Sequence, residues 1–248
     1  MTVDLNADLG EISGSFGEAL DAALLDIVSS ASVAAGGHAG DQASMERVCR
    51  IASENGVRVG AHLSFDDRAG FGRRVPDHID AALTSTLTRQ LAVLTAVAER
   101  AGTHLSYVKP HGALYNLALE DERVAAALLD ALRDSDLPVL TIQDSTLASM
   151  ASASGRATYG EFFADRGYLP TGGLVPRDVE GALLHDGVAD RVLRAVATKS
   201  VVAVDGTQIP VQIDSVCVHS DSPDAVRMAA SIRRRLEDSG LRIHSFAD

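Results

Sequence analysis

Only two lysines stand against twenty arginines in this chain. One of them, Lys109, lies two residues from His111 in the run Lys109-Pro110-His111-Gly112-Ala113-Leu114-Tyr115. A compact ammonium has a pKa that burial can move, and a guanidinium does not. A lysine kept where arginine is the default therefore points to a place where arginine would not serve. Similar polar groups recur along the sequence: Asp8 and Glu11, His38 and Asp41, His62, Gln143 and Asp144, Glu161 with Asp165 and Arg166, and His219 with Asp221. Two chemistries use such residues. Asp8, His38, His62 and His111 are a donor set for a divalent metal that activates water. Without a metal, carboxylates and imidazoles act as general acid and base while Lys109 stabilises an oxyanion or a transferred phosphoryl group. No two of these histidines stand at a local ligand spacing, so the metal reading depends on a fold that gathers them.

The elements that must position them are legible from periodicity. Val3, Leu5, Ala7 and Leu9 alternate with Asp4, Asn6 and Asp8, the period-2 signature of a strand with one polar face. Further strands are predicted at 32–35, 57–62, 105–108, 138–142, 157–160 (weak), 213–219 and 241–246. Each polar group above sits at the exit of one of them. Helical patterns fall between: 18–30; a Met45, Val48, Cys49, Ala52 stripe; 78–101 with Asp77 as cap; 121–134; a stretch to Ser154; 178–198, broken near Asp186-Gly187; and Ser222-Pro223 to Ser239. Asp41 is placed to cap the second helix, which alone accounts for it. A hairpin with an Asp205-Gly206 turn is inserted near 201–211. The alternation predicts one α/β domain over residues 1–248, an irregular (β/α)7–8 barrel of mostly parallel strands. In such a barrel the carboxyl ends of the strands meet at one face, where chemistry sits. Four of the eight histidines fall at strand exits, a sorting not expected of core or surface histidines.

Composition narrows the rest. A formal net charge of −12 argues against a nucleic-acid or anionic-membrane partner. Cys49 and Cys217 have neither disulfide nor zinc spacing and read as buried thiols. The first residues lack the pattern of a signal peptide, and no apolar run approaches the length of a membrane span, so a cytoplasmic protein is expected. There is no Walker A motif and no nucleophile elbow. The loop Gly70-Phe71-Gly72-Arg73-Arg74 is no dinucleotide fingerprint, but it offers two guanidinium groups to an anion.

Seven motifs, taken in order, resemble the LamB/YcsF family: Asp4-Leu5-Asn6-Ala7-Asp8-Leu9-Gly10-Glu11, Gly37-His38-Ala39-Gly40-Asp41, Gly60-Ala61-His62, Gly70-Phe71-Gly72-Arg73-Arg74, Lys109 through Asn116, Glu161 through Arg166, and Cys217-Val218-His219. The resemblance spans essentially the whole chain. The chain departs from the family's usual residues at Ala7, Ala35-Gly36-Gly37, Leu63, Asp66 and Ser220, while the charged and histidine positions persist. The resemblance implies a barrel like that of polysaccharide deacetylases. It also implies opening of the lactam of 5-oxoproline to L-glutamate, with ATP and Mg, in a complex with subunits B and C. Under that activity Asp8, Glu11, His38, His62, Lys109 and His111 are the catalytic candidates. Asp41, Arg73, Arg74, Tyr115, Glu161 and His219 would face substrate or phosphate. Two other readings compete: a stand-alone metal-dependent amidase or deacetylase, and a non-catalytic subunit that only binds substrate.

Overall fold

The computed structural model describes residues 2–77, 79 and 82–247. Seven parallel strands close on themselves: β1 (Thr2–Leu9), β2 (Ser30–Ala34), β3 (Arg58–Leu63), β4 (Leu105–Pro110), β5 (Val139–Thr141), β6 (Thr158–Phe163) and β9 (Ser215–Val218). Closure comes from β9, which pairs with β6 on one side and β1 on the other. The strand that reads as weak in the sequence, β6, therefore completes the wall. A short β10 (Arg242–Ile243) lies parallel to β1 outside the ring. The inserted hairpin is present as β7 (Ser200–Val202) and β8 (Gln208–Pro210), antiparallel.

Helices cover the outer face: α1 (Gly14–Leu25), α2 (Gln42–Asn55), α3 (Ala82–Arg100), α4 (Gly112–Ala118), α5 (Glu122–Ala131), α6 (Thr146–Ala153), α7 (Val188–Thr198) and α8 (Ala225–Asp238). The apolar face of each strand meets them, so Val3, Leu5, Ala7 and Leu9 join the hydrophobic core with Leu24, Val48, Leu87 and Ile232. The other face points to the axis, and it is polar. Asp4, Asn6, Asp8, Ser30, Ser32, Lys109, Glu161 and Ser215 are all buried there. Barrels of this type usually fill the axis with branched apolar side chains. Here hydrogen bonds fill it. Asp4 accepts from Ser29 (2.6 Å), Ser30 (2.7 Å) and Ser215, and Asn6 donates to Ser215 (2.7 Å). No helix among the described residues is long and apolar enough to cross a membrane.

Several element expectations need correction. The first helix begins at Gly14 and ends at Leu25, well before residue 30. The expected start of α3 at His78 lies outside the described residues. Helix α4 was not foreseen: the chain turns straight out of β4 into a helix that buries Ala113, Leu114, Tyr115 and Ala118. Residues 178–186 are not helical. Gly181 there has φ +83°, and the Arg166 guanidinium takes the Ala182 carbonyl at 3.1 Å. Helix α8 starts at Ala225, after Asp224 at φ +57°, because the Ser222 hydroxyl expected to cap it donates to Asp165 instead.

Candidate functional site

Lys109 stands inside the barrel near its carboxyl mouth, 1% exposed. Its ammonium contacts four groups from three other strands: Asp8 Oδ1 (2.7 Å) and Asn6 Oδ1 (3.3 Å) on β1, Glu161 Oε1 (2.8 Å) on β6, and Cys217 Sγ (3.2 Å) on β9. Burial opposes the lysine charge, but the Asp8 and Glu161 carboxylates outweigh it and hold the pKa well above the usual range. Burial likewise opposes the Asp8 charge, and His62 and Lys109 outweigh it, so this carboxyl lies well below its ordinary range. The ion pair is thus charged at neutral pH. Arginine's planar fork could not serve converging acceptors in so small a space. Cys217 is held as a thiol, its pKa pushed well up by burial.

Beside this pair three imidazoles gather around Glu11. His38 Nε2 lies 2.8 Å from Glu11 Oε1, and its ring stacks on His111 at 3.6 Å between centroids. His111 Nδ1 is 3.4 Å and His62 Nε2 3.7 Å from the same Glu11 oxygen. Backbone carbonyls fix two of the tautomers. His62 Nδ1 faces the Lys109 carbonyl (3.1 Å) and His111 Nε2 the Phe71 carbonyl (2.9 Å). A carbonyl only accepts, so these two nitrogens carry hydrogen. The inner nitrogens, His62 Nε2 and His111 Nδ1, then face each other as lone pairs 2.9 Å apart. Such an arrangement calls for a shared proton or a cation. Burial, and after it Asp8, push the Glu11 carboxyl up to about 7. Burial brings His38 down to about 3, and burial with His62 and His38 holds His111 well below the ordinary range. The carboxylate is therefore the group poised to exchange a proton near neutrality. The donor set Glu11, His38, His62 and His111 also fits a divalent ion, since all four offer ligand atoms within 4.8 Å of one another and His38 Nδ1 is buried without a partner.

The loop over these rings requires glycine twice. A Cβ on Gly72 (φ +65°) would lie 2.7 Å from His38 Cβ and 2.9 Å from His111 Cδ2. One on Gly112 (φ +55°) would lie 2.6 Å from the Gly72 carbonyl oxygen, which accepts from Ala113 N–H at 2.9 Å. The segment 70–74 is thereby laid on the imidazoles and brings Arg73 to the mouth.

The mouth encloses a cavity of about 130 Å³, lined by Asp8, His62, Lys109 and His111 and by Arg73, Arg177 and His219. Arg73 and Arg177 both bond Asp221, Arg177 at 3.3 Å. His219 Nδ1 donates to Asp165 Oδ1 at 2.8 Å, which leaves Nε2 as its free nitrogen. Burial works against the Asp165 charge, but His219 and Ser222 overcome it and bring this carboxyl to about 2. An anionic protein thus concentrates guanidinium groups around one cavity, which favours an anionic ligand.

A family model for LamB/YcsF matches residues 3–248. The chain belongs to the LamB/YcsF family. Among relatives of this LamB/YcsF protein, the 5-oxoprolinase A subunit of Mycobacterium leprae is 47% identical, covering 98% of each chain. A 5-oxoprolinase A subunit of Pseudomonas syringae pv. tomato is 46% identical, covering 99% of this chain and 97% of its own. The crystal structure of the lactam utilization protein from Thermus thermophilus superposes with a TM-score of 0.91 at 35% identity, covering 99% of this chain and all of that one. A family 4 carbohydrate esterase from Streptomyces lividans shares the fold at a TM-score of 0.51 and 13% identity, covering 98% and 91%. The LamB/YcsF barrel thus shares its fold with that esterase.

The expected site residues are largely brought together. Asp8, Glu11, His38, His62, Lys109, His111, Glu161 and His219 are buried around the mouth, and Arg73 and Tyr115 line it. The other described histidines, His104, His185 and His244, are exposed. Two residues lie elsewhere. Asp41 is exposed, its carboxylate accepting from Ser44 N–H at 2.8 Å as the cap of α2. Arg74 turns to a separate groove with Val75 and Leu83. Glu11, rather than Asp8, groups with the three imidazoles as donors that could hold a cation, while Asp8 gives Oδ1 to Lys109, keeps Oδ2 3.4 Å from His62 Nε2 and groups with Cys217 and His219. Sequence reasoning did not assign roles to Asn6, Phe71, Phe163, Arg177 or Cys217. Alternation along the strands gives Asn6 with Asp8, Phe163 with Glu161 and Cys217 with His219, but nothing local signals Phe71 or Arg177.

Proposed function

We propose that this chain is the hydrolytic subunit of an ATP-dependent 5-oxoprolinase, which opens the lactam of 5-oxo-L-proline to L-glutamate together with subunits B and C. One observation carries the reading: around a single small cavity stand the His62–His111 pair that is backed by Glu11, a carboxylate-held histidine, and paired arginines. The names of close relatives agree with it. The lactam carbonyl is a poor electrophile, and transfer of the γ-phosphoryl group of ATP, with Mg, to its oxygen activates the ring carbon. The substrate carboxylate lies against Arg73 and Arg177. Water adds to the activated carbon, and its proton passes through the His62–His111 pair to the Glu11 carboxylate. The C–N bond breaks as His219, oriented by Asp165, protonates the ring nitrogen. The resulting acyl phosphate takes a second water to release L-glutamate and phosphate. The charged Lys109–Asp8 pair sets the field in which the oxyanion develops. Glu11, His38, His62 and His111 would hold a divalent ion, which supplies Lewis acidity and an acidified water when bound.

The test is glutamate release from 5-oxoproline by the complex with subunits B and C, with and without ATP. ATP-dependent release is expected, and Glu11→Gln should lower kcat by about 10²–10⁴. Chelator-sensitive, ATP-independent amide hydrolysis by the chain alone would instead establish the stand-alone amidase. Undiminished activity of the Glu11→Gln complex would establish a non-catalytic role.

A further inference from the structure

Two lysine or arginine side chains are buried among the described residues, Lys109 and Arg166. They are answered differently. Lys109 has the Asp8 and Glu161 carboxylates at 2.7 and 2.8 Å. Arg166, 5% exposed, bonds no carboxylate. Its Nε donates to the Ala182 carbonyl (3.1 Å) and its Nη2 to the Val175 carbonyl (2.6 Å). The adjacent carboxylate, Asp165, gives one oxygen to His219 and the other to Ser222. Burial, and after it Arg177, bring the Arg166 guanidinium down to about 10, so it is still charged at neutral pH.

Two loop carbonyls do not account for a buried cation. A neutral donor would serve them, and a charge buried without a counter-ion is costly. The third nitrogen, Nη1, makes no bond to the protein, yet it is not sealed from solvent as an orphaned interior atom would be. The side chain lines the mouth cavity beside Phe163, Leu174, Arg177 and His219. Two nitrogens are thus anchored in backbone and the third is left for what enters the mouth. Arg73 and Arg177 also line the cavity, but they share Asp221. Lys109 cannot do the same work, because Asn6, Asp8, Glu161 and Cys217 surround its ammonium.

We propose that Arg166 is the phosphoryl-binding residue of the mouth, its Nη1 donating to a phosphoryl oxygen. In the reaction proposed above, on which this identification of the ligand rests, that group is the one carried by the activated lactam. The substrate carboxylate then keeps Arg73 and Arg177, whose charge Asp221 already offsets in part. A phosphoryl group bears more negative charge than a carboxylate, and it takes the guanidinium that bonds no carboxylate of its own.

The probe is inorganic phosphate, added to the full chain while the guanidinium resonances of Arg166 are followed. Saturable shifts are expected. Two variants separate charge from shape. Arg166→Lys keeps the cation and gives up the fork that spans both carbonyls, whereas Arg166→Gln keeps a donor and gives up the cation. Phosphate affinity should fall by roughly tenfold or more in Arg166→Gln and by much less in Arg166→Lys. An Arg166 that served only to hold the loop between Val175 and Ala182 would give the two folded variants equal phosphate affinity, and that result would overturn the proposal. So would Arg166 resonances that stay unmoved in the unaltered chain as phosphate is raised, a measurement that needs no variant. Phosphate binding requires no turnover, so a complex without ATP-dependent glutamate release would count against the reaction and leave the Arg166 site standing.

Discussion

At the scale of single residues, Lys109 bears two loads. Its ammonium neutralises Asp8 and Glu161, and its backbone carbonyl fixes the His62 tautomer. Only the first is lost on substitution. Lys109→Met should leave two buried carboxylates without their cation and destabilise the protein by about 3–5 kcal/mol, measured by chemical denaturation. Lys109→Arg should recover little of that, since the charge returns but the geometry does not. Equal stability of Lys109→Arg and the unaltered chain would show that shape is irrelevant. The scarcity of lysine made this residue legible in the sequence, and the polar strand exits did the same for the four buried histidines. That Glu11 would stand among the imidazoles was not legible. Glu11 follows β1 in an irregular turn, and periodicity says nothing about where such a side chain is aimed.

At the scale of elements, the two ends of the site differ in what they tolerate. Gly72→Ala places a Cβ against two of the imidazoles and sets alanine at φ +65°, a conformation that costs about 1–2 kcal/mol on its own. Turnover should fall sharply because His38 and His111 must move, which steady-state kinetics on the complex will read. Asp41→Ala is the contrast. The cap of α2 accounts for the contacts of Asp41, so about 1 kcal/mol of stability should be lost with kcat and KM unchanged. A change in KM would return Asp41 to the substrate site. Helix α2 was readable from its apolar stripe and cap, and the structure adds the reciprocal Ser44 bond. Helix α4 was hidden because its first residues were read as part of the strand exit. Residues 178–186 looked helical in pattern, but the buried guanidinium of Arg166 claims their backbone, a long-range effect no local pattern carries.

At the scale of the whole molecule, the polar lumen makes stability depend on pH. Asp4 sits toward the amino end of β1, and burial lifts its carboxyl from 3.8 to about 6 against the hydroxyls of Ser215, Ser29 and Ser30. The folded state keeps a proton there that the unfolded chain releases. Its contribution is fully present below about pH 4 and is lost as pH rises through 6. A shift of about two units corresponds to of order 3 kcal/mol. Asp4→Asn removes the titration, so the difference in unfolding free energy between the two proteins should shift toward the variant by that amount from pH 4 to 7. Parallel stability curves would sink the assignment. The sequence did reveal that one face of β1 is polar. That this face would be repeated around the ring, with serines answering Asp4, depended on pairing that only closure defines.

The Lys109 cluster also bears on the order of assembly. Its partners lie 101 and 108 residues away in sequence at Asp8 and Cys217, on the first and last strands of the ring. The cluster is complete only when the last strand docks between the first and the sixth. The ammonium therefore stays hydrated through early folding and is sealed only when the ring shuts. It behaves as a latch, not a nucleus. Loss of the latch in Lys109→Met should appear mainly as faster unfolding, with refolding nearly unchanged.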